Sequence, residues 1–392
     1  MNITVVCEDR YRDYVIDVFK KHENGVWKLL QFCAWQGKDY ASVYDGAKEY
    51  RGIKIQPLSD IGEDNNILVV GINTGYLSQI MRALHDCGIE KYSAVRWFAI
   101  HSTEDFLDKL AAEKENSVIS LNLCGGKSCL GEIQVHVTDN CNLNCKACTH
   151  FSPFVKGHRP IDLKQFENDI KRMKELFSAL YVFQLMGGEP LLEPELCMEM
   201  IRIVRASYPD CSINLITNGT LIDRMKDTFW FVLHRNRVTV RVSVYPAVLP
   251  KVERIKQILQ KHSIPYICEV YNKVEFEKYF AARHESDAYE NMRRCHGRGC
   301  YSLYKGYISK CPSPMYVRDV ATELEKDGVS GDWLWATDAI NLYKEDNAWK
   351  IIKKLEEPCE FCKRCDLSNL VSIPWETVQG KPELADWFID YE

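Results

Sequence analysis

Three cysteines in one short loop constrain what this chain can fold into more than any other feature of the sequence. They are Cys141, Cys145 and Cys148, in a C-x3-C-x2-C arrangement. The alternating apolar stretch before them, 133–137, predicts a strand that leads into the loop. Three neighbouring thiolates can hold an iron–sulfur cluster and leave one iron open to a small ligand, or they can contribute to a zinc site. Zinc sites usually combine C-x2-C with a second ligand pair, so the spacing favours a cluster.

A second motif follows the next predicted strand, 181–186. It is the tetrapeptide Gly187-Gly188-Glu189-Pro190. Glycines permit positive φ angles and a close approach of backbone to ligand, and a carboxylate can balance an ammonium group. On its own this tetrapeptide would more often be a turn. Following the cysteine loop, it resembles the GGEP segment of the radical S-adenosylmethionine (SAM) superfamily.

This resemblance implies cofactors and a fold. Cys141, Cys145 and Cys148 would ligate a [4Fe–4S] cluster, and SAM would bind at its open iron. The implied α/β fold is a partial (β/α)6 barrel of the TIM type. Predicted strands and helices alternate regularly over 131–280, as such a barrel requires. The residues expected to contact SAM are Gly187, Gly188, Glu189, Pro190, Thr217, Asn218 and Ser243.

Two points of the SAM site stay open. Asn218 and Gly219 follow a predicted strand, where a simple exit turn is the alternative to a ligand contact. Members of the superfamily usually have an aromatic residue before the third cysteine, where it packs on the adenine. Here that residue is Ala147, which leaves Phe151 or Phe154 as candidates to cover the adenine.

The C-terminal third resembles the SPASM and twitch extensions of the same superfamily. A hairpin is predicted around Gly306, and the later cysteines form C-x2-C-x2-C. The resemblance implies one auxiliary [4Fe–4S] cluster, with zinc as the alternative. Six cysteines exceed the four that one cluster needs, so two could be spare. The candidate ligands are Cys295, Cys300, Cys311, Cys359, Cys362 and Cys365.

We therefore expect three domains. Residues 1–125 loosely resemble Rossmann-like domains, and alternating strands and helices predict a small parallel sheet there. No G-x-G-x-x-G is present, so recognition or dimerisation is favoured over dinucleotide binding, with the turn 73–75 as the most plausible ligand contact. Residues 126–285 would form the radical SAM core, and 286–392 the auxiliary cluster domain.

Composition excludes several classes of protein. The net charge of −5 gives no basic field of the kind that nucleic-acid binders use. No stretch has the apolar length of a membrane-spanning helix, and the N-terminus does not resemble a signal peptide. Seventeen cysteines without an export signal predict metal ligands and buried thiols in a reducing compartment, hence the cytoplasm.

The substrate is the least determined feature. The segment 148–153, Cys-Thr-His-Phe-Ser-Pro, resembles a Cys-Ser-His-Phe-Ser-Pro variant of radical SAM proteins in sugar biosynthesis. A carbohydrate, cyclitol or nucleotide sugar is therefore expected to be dehydrogenated or epimerised. A peptide-modifying enzyme is the alternative, and a non-enzymatic iron–sulfur or zinc scaffold is a third. The resemblance also implies a flavodoxin- or ferredoxin-type electron donor. The sequence leaves the oligomeric state open, with a homodimer as one option.

Overall fold

The computed structural model of the chain describes residues 2–7, 12–21, 28–34, 48–61, 66–71, 74–89, 93–96, 128–270, 275–295, 297, 299 and 301–391. The chain divides into two compact units. The first takes in 1–131, 176–181 and 347–357, and the second takes in 132–175, 182–346 and 358–392. In the described part of the chain, no helix is long and apolar enough to cross a membrane.

The first unit is built on a six-stranded sheet, with strand order β3-β4-β2-β1-β5-β6. All pairs are parallel except β3 with β4. The strands are β1 (Asn2–Cys7), β2 (Lys28–Ala34), β3 (Glu49–Tyr50), β4 (Ile53–Pro57), β5 (Asn66–Gly71) and β6 (Ser93–Arg96). Helices α1 (Arg12–Lys21) and α2 (Thr74–Asp86) follow β1 and β5.

The five parallel strands lie in the order β4-β2-β1-β5-β6. Numbered one to five along the chain, this is the order 3-2-1-4-5, which doubly wound nucleotide-binding folds also use. The role of this unit in recognition or dimerisation stays a prediction. Of its proposed ligand turn, Asn73 lies outside the described residues.

The second unit contains most of an eight-stranded sheet, with strand order β11-β10-β9-β8-β7-β13-β14-β15. Pairing is parallel from β8 to β11, and the predicted α/β class is confirmed. The strands are β7 (Cys129–Thr138), β8 (Ala179–Gly187), β9 (Ser212–Thr217), β10 (Val238–Val244), β11 (Tyr266–Val270), β13 (Tyr301–Tyr304), β14 (Tyr307–Ser309) and β15 (Ile340–Asn341). A separate antiparallel pair joins β12 (Glu275–Lys278) to β16 (Val371–Pro374).

The helices that follow these strands are amphipathic. The helix after β7 buries Phe166, Ile170 and Met173, and Asp162 caps it by accepting a hydrogen bond from the Gln165 N–H at 3.0 Å. The helices are α3 (Leu163–Leu176), α4 (Pro194–Ser207), α5 (Asp227–Arg235), α6 (Val252–Lys261), α7 (Ala288–Arg294) and α8 (Ser313–Lys326). Helix α9 (Ala348–Leu355) belongs to the first unit.

The segment between β9 and α5 is not continuously helical. Helix α5 begins only at Asp227. A short 3-10 turn covers Ile222–Arg224, and Met225 and Lys226 then have extended backbone, with ψ angles of 135° and 158°. Extended residues cannot continue a helix, so the helix restarts after them.

The hairpin predicted around Gly306 is confirmed, and it extends the main sheet. Its turn residues Lys305 and Gly306 have φ angles of 48° and 82°, as a two-residue type I′ turn requires. Tyr301 pairs in parallel with Ile133 of β7. The C-terminal third therefore continues the sheet that carries the cysteine loop.

Candidate active site

The carboxyl ends of β7 to β10 meet around a cavity of about 390 Å³. Parallel strands present their binding groups at this end. The lining includes the three loop cysteines, Ala147, His150, Met186, Gly187, Gly188, Thr217, Asn218, Ser243, Tyr245, Phe276 and Tyr279. Most of the predicted SAM residues therefore face one space, together with all three candidate cluster ligands.

The cysteine loop has an unusual backbone. Asn144, Ala147 and Phe151 all have left-handed φ angles of 50° to 54°, which non-glycine residues adopt rarely. These reversals turn the loop so that its three thiols line the same cavity. A local conformation of this kind persists only where surrounding structure holds it.

The three thiols of the cysteine loop are suited to binding a metal cluster. Burial raises the pKa of Cys141 to about 11 and that of Cys145 to about 12, and it also raises the pKa of Cys148. The raised pKa values mean that losing the proton is unfavourable for these thiols. A bound metal cluster would offset that free-energy cost because it coordinates the thiolate and not the thiol. No three His, Cys, Asp or Glu side chains of the described residues converge tightly enough to hold a single metal ion.

The two glycines of the GGEP segment pack against the start of the cysteine loop. A Cβ at Gly188 would lie 2.0 Å from the Asn140 carbonyl oxygen, and one at Gly187 would lie 2.4 Å from the Thr138 carbonyl oxygen. The Gly188 N–H donates to that Thr138 oxygen at 2.9 Å. Glycine is therefore required at both positions by close backbone approach.

Glu189 lies away from the cavity lining. Its side chain is fully buried, and its carboxylate accepts hydrogen bonds from the Leu191 N–H at 2.9 Å, the Thr217 hydroxyl at 2.6 Å and the Asn218 N–H at 2.8 Å. Burial raises its pKa to about 6. Pro190 is also buried. In this arrangement Glu189 fixes the Thr217-Asn218 segment, and its predicted SAM contact stays a prediction.

Asn218 belongs to a turn and also lines the cavity. Its side-chain oxygen accepts from the Thr220 N–H at 2.9 Å, and Gly219 has a φ of +78°. Its side-chain amide donates to Asn142 of the cysteine loop at 2.9 Å. This segment is therefore an exit turn of β9, and the same turn places Asn218 where it could contact a ligand. Ser243, at the end of β10, lines the same cavity.

The two phenylalanines considered for the adenine are core residues. Phe151 and Phe154 are fully buried in an aromatic cluster, where Phe151 stacks on Phe280 at 5.5 Å between centroids. The aromatic rings that border the cavity are instead Tyr245, Phe276 and Tyr279. The sequence analysis assigned none of the three to the site, although Tyr245 lies two residues after Ser243.

Trp375 is a further missed residue. Its indole N–H donates to the Cys145 sulfur at 3.2 Å, and its ring stacks on Tyr245 with centroids 6.0 Å apart. It follows β16 and lies 230 residues from Cys145 in sequence. No spacing rule could have connected the two.

The C-terminal cysteines lie close together in the structure, although they come from segments that are far apart in the sequence. The Cys359 and Cys362 sulfurs are 3.5 Å apart, and a hydrogen bond from Cys359 lowers the pKa of Cys311. Burial, together with the nearby thiols of Cys311, Cys362 and Cys295, raises the pKa of Cys365. Five of the six candidate ligands are therefore neighbours, and Cys300 lies outside the described residues.

Comparisons with known proteins found matches to parts of the chain. A GTP 3′,8-cyclase of Microcystis aeruginosa (strain NIES-843 / IAM M-2473) is 31% identical over 100 residues, which is 25% of this chain and 30% of that protein. An S-adenosylmethionine-dependent nucleotide dehydratase of Fibrobacter sp. (strain UWH6) is 26% identical over 100 residues, or 23% and 28% of the two chains. Both matches span under a third of the relative's length.

Among solved structures, BtrN in complex with AdoMet and 2-DOIA aligns with a TM-score of 0.37 and 15% identity, over 60% of this chain and 92% of that chain. Residues 135–270 match the model of the Radical SAM superfamily. This region begins in β7 and includes the cysteine loop and the GGEP segment. Residues 135–270 are therefore a radical SAM domain, which implies a [4Fe–4S] cluster and SAM as its cofactors.

Proposed function

We propose that this protein is a radical SAM enzyme that cleaves SAM reductively and removes a hydrogen atom from a carbohydrate, cyclitol or nucleotide-sugar substrate. The observation that carries this proposal is the cavity that three cysteines of one loop, two glycines and the ends of β9 and β10 line together. Cys141, Cys145 and Cys148 would hold the cluster. Gly187, Gly188, Thr217, Asn218 and Ser243 would contact SAM.

The cofactors supply the radical chemistry. When the cluster and SAM are bound, one electron and SAM give methionine and a 5′-deoxyadenosyl radical, which takes a hydrogen atom from the substrate. A flavodoxin- or ferredoxin-type protein would deliver the electron. The residues of this chain exclude water from the cavity and hold the target carbon in place. The position of the cavity, at the meeting point of four strand ends, suits that task.

The substrate class is supported by the polar groups of the cavity. Hydroxyl groups and carboxylates are the hydrogen-bonding partners that a polyol such as a sugar or cyclitol requires. The residues with such groups that line the cavity include Thr149, Ser243, Tyr245, Tyr279, Glu275 and Glu277. These groups could also contact a peptide, which is the second candidate substrate and an outcome of the experiment below.

The C-terminal cysteines are proposed to bind one auxiliary [4Fe–4S] cluster. Tyr279 lines the cavity, and the nearby thiols of Cys365, Cys295 and Cys311 add to burial in raising its pKa. An electron acceptor would therefore lie next to the substrate. Loss of one electron and one proton from the substrate radical gives a dehydrogenated product. Return of a hydrogen atom from a spare thiol gives an epimer.

The test uses anaerobically reconstituted full-length protein with SAM and dithionite. Panels of cyclitols, nucleotide sugars and peptides are added, and 5′-deoxyadenosine is measured. With a substrate deuterated at the target carbon, one deuterium is expected in 5′-deoxyadenosine. With unlabelled substrate, a product two mass units lighter indicates dehydrogenation. In deuterated water, an isomer that gains one deuterium indicates epimerisation.

The result also decides between the candidates. Deoxyadenosine formation stimulated by peptides and by no sugar or cyclitol would replace the proposed substrate class with the peptide alternative. No 5′-deoxyadenosine with any addition, from protein that carries its full iron content, would count against an enzyme and favour the scaffold.

A further inference from the structure

A short segment near the C-terminus crosses the cysteine loop. We define residues 375–378 as the C-terminal strap. The Val378 N–H donates to the Asn144 carbonyl at 2.8 Å, and the Lys146 N–H donates to the Glu376 carbonyl at 2.9 Å. The strap is thus an antiparallel partner of the loop. It holds the loop at Asn144, one of the residues with a left-handed φ.

The first residue of the strap reaches a cluster ligand directly. The Trp375 indole N–H is 3.2 Å from the Cys145 sulfur. Indole nitrogen can only donate, so the sulfur must accept. Stacking of the Trp375 ring on Tyr245, with planes 12° apart, fixes its orientation. Two donors approach Cys141 at longer distances, the Leu143 N–H at 3.5 Å and the Asn218 side-chain amide at 3.9 Å.

We propose that Trp375 is a positioning residue that raises the reduction potential of the cluster by hydrogen bonding to the Cys145 thiolate. This inference rests on the proposed function, because it requires the cluster. Reduction places additional negative charge on the cluster and its sulfur ligands. A donor to one of those sulfurs stabilises the reduced form more than the oxidised form. The C-terminal strap therefore makes the first electron transfer easier.

The chain supplies a matched control. Trp387 also donates its indole N–H to the cysteine loop, but the acceptor is the Cys148 carbonyl oxygen, at 2.9 Å. Both tryptophans anchor the loop, but the Trp375 N–H donates to a sulfur whereas the Trp387 N–H donates to a backbone oxygen. Loosening of the loop would affect the potential in variants at either position, whereas loss of the N–H to sulfur bond affects it at Trp375 alone.

The experiment is a redox titration followed by electron paramagnetic resonance on reconstituted full-length protein. The native chain is compared with Trp375→Phe and Trp387→Phe, and the cluster of interest is identified as the one whose spectrum changes when SAM is added. In Trp375→Phe the ratio of reduced to oxidised cluster at a fixed potential should fall about tenfold. For a one-electron couple this is a shift of about 59 mV to more negative potential. In Trp387→Phe the reduction potential of this cluster should equal that of the native chain.

An unchanged potential in Trp375→Phe, or an equal shift in both variants, would overturn the inference. A second measurement does not depend on variant folding. Native protein labelled with ¹⁵N at the tryptophan indoles should show a ¹⁵N coupling to the reduced cluster in pulsed spectra, retained in Trp387→Phe. Absence of that coupling in native protein would also overturn it. Failure to form any SAM-responsive cluster would instead refute the proposed function.

Discussion

The two cysteine groups of this protein are assembled in opposite ways. Cys141, Cys145 and Cys148 come from one loop at the end of β7, with all three thiols on one cavity. The C-terminal cysteines come from separate segments: Cys295 follows α7, Cys311 follows β14, and the rest lie in the turn at 359–365. The first group is defined by local sequence. The second forms only when distant segments pack.

A shared aromatic cluster connects the two groups. Phe280 stacks on Phe151 of the cysteine loop at 5.5 Å and meets Phe361, between the later cysteines, edge-to-face at 5.6 Å. Cys148 and Cys365 both pack against this cluster. The cysteine loop and the C-terminal cysteines thus depend on the same core.

The largest effects should come from removing each group of thiols in turn. We expect the Cys141→Ala, Cys145→Ala, Cys148→Ala triple variant to lose about four irons and all SAM cleavage. The Cys359→Ala, Cys362→Ala, Cys365→Ala triple variant should also lose about four irons but retain SAM cleavage. Iron, sulfide and 5′-deoxyadenosine assays measure this. Zinc in place of the second four irons would reassign the C-terminal cysteines as a structural site.

Phe280→Ala should damage both groups together. The ring is buried between them, and truncating a buried phenylalanine costs about 3–5 kcal/mol of unfolding free energy. Denaturant unfolding and iron content of both sites check it. The control is Phe231→Ala, whose side chain is exposed and whose effect should stay within about 0.5 kcal/mol. Loss of iron from only one group would show that the cluster does not connect them.

Gly188→Ala should affect the first group alone. The new Cβ would overlap the Asn140 backbone and force the start of the loop to move. Overpacking of this kind costs about 1–3 kcal/mol, and a displacement of 1 Å in the site can slow reaction about a hundredfold. Denaturant unfolding measures the loss of stability, and the rate of SAM cleavage measures the effect on the reaction. Gly380→Ala is the control for backbone strain without overlap, because Gly380 has a φ of +88° but its added carbon would meet nothing within 4 Å, and it should retain SAM cleavage. Equal loss of SAM cleavage in both variants would remove the steric explanation.

The smallest effect concerns pH. The His150 Nδ1–H donates to the Gly187 carbonyl oxygen at the cavity wall, and burial, with His136 nearby, lowers the pKa of His150 to about 3. The unfolded chain therefore binds a proton near pH 6.5 that the folded chain does not. Stability from this group is present above pH 6.5 and falls by about 1 kcal/mol at pH 5.5.

Denaturant unfolding at pH 7.5 and pH 5.5 tests this. In His150→Gln, the decrease in unfolding free energy between pH 7.5 and pH 5.5 should be smaller than in the native chain by about 1 kcal/mol. In the control His234→Gln, whose side chain is exposed, the decrease should equal that of the native chain. Equal losses in the native chain and His150→Gln would show that His150 is protonated in the folded protein, and that its contact with the Gly187 carbonyl at 2.9 Å does not depend on a neutral ring.

The sequence by itself determined the local features of this protein. The spacing of Cys141, Cys145 and Cys148, the glycines at 187 and 188 and the turn at Gly306 reflect backbone requirements that act within a few residues. Helix stripes such as Phe166, Ile170 and Met173 follow from periodicity. These signals led to the α/β class and to the cavity residues, because each depends on near neighbours in the chain.

Tertiary structure decided the rest. Glu189 binds the Thr217-Asn218 segment, Phe151 enters the aromatic core, and Trp375 reaches Cys145 across 230 residues. None of these contacts has a periodicity or a spacing. They exist because burial and strand pairing bring remote segments together, and the free energy that does so comes from the packing of the whole unit.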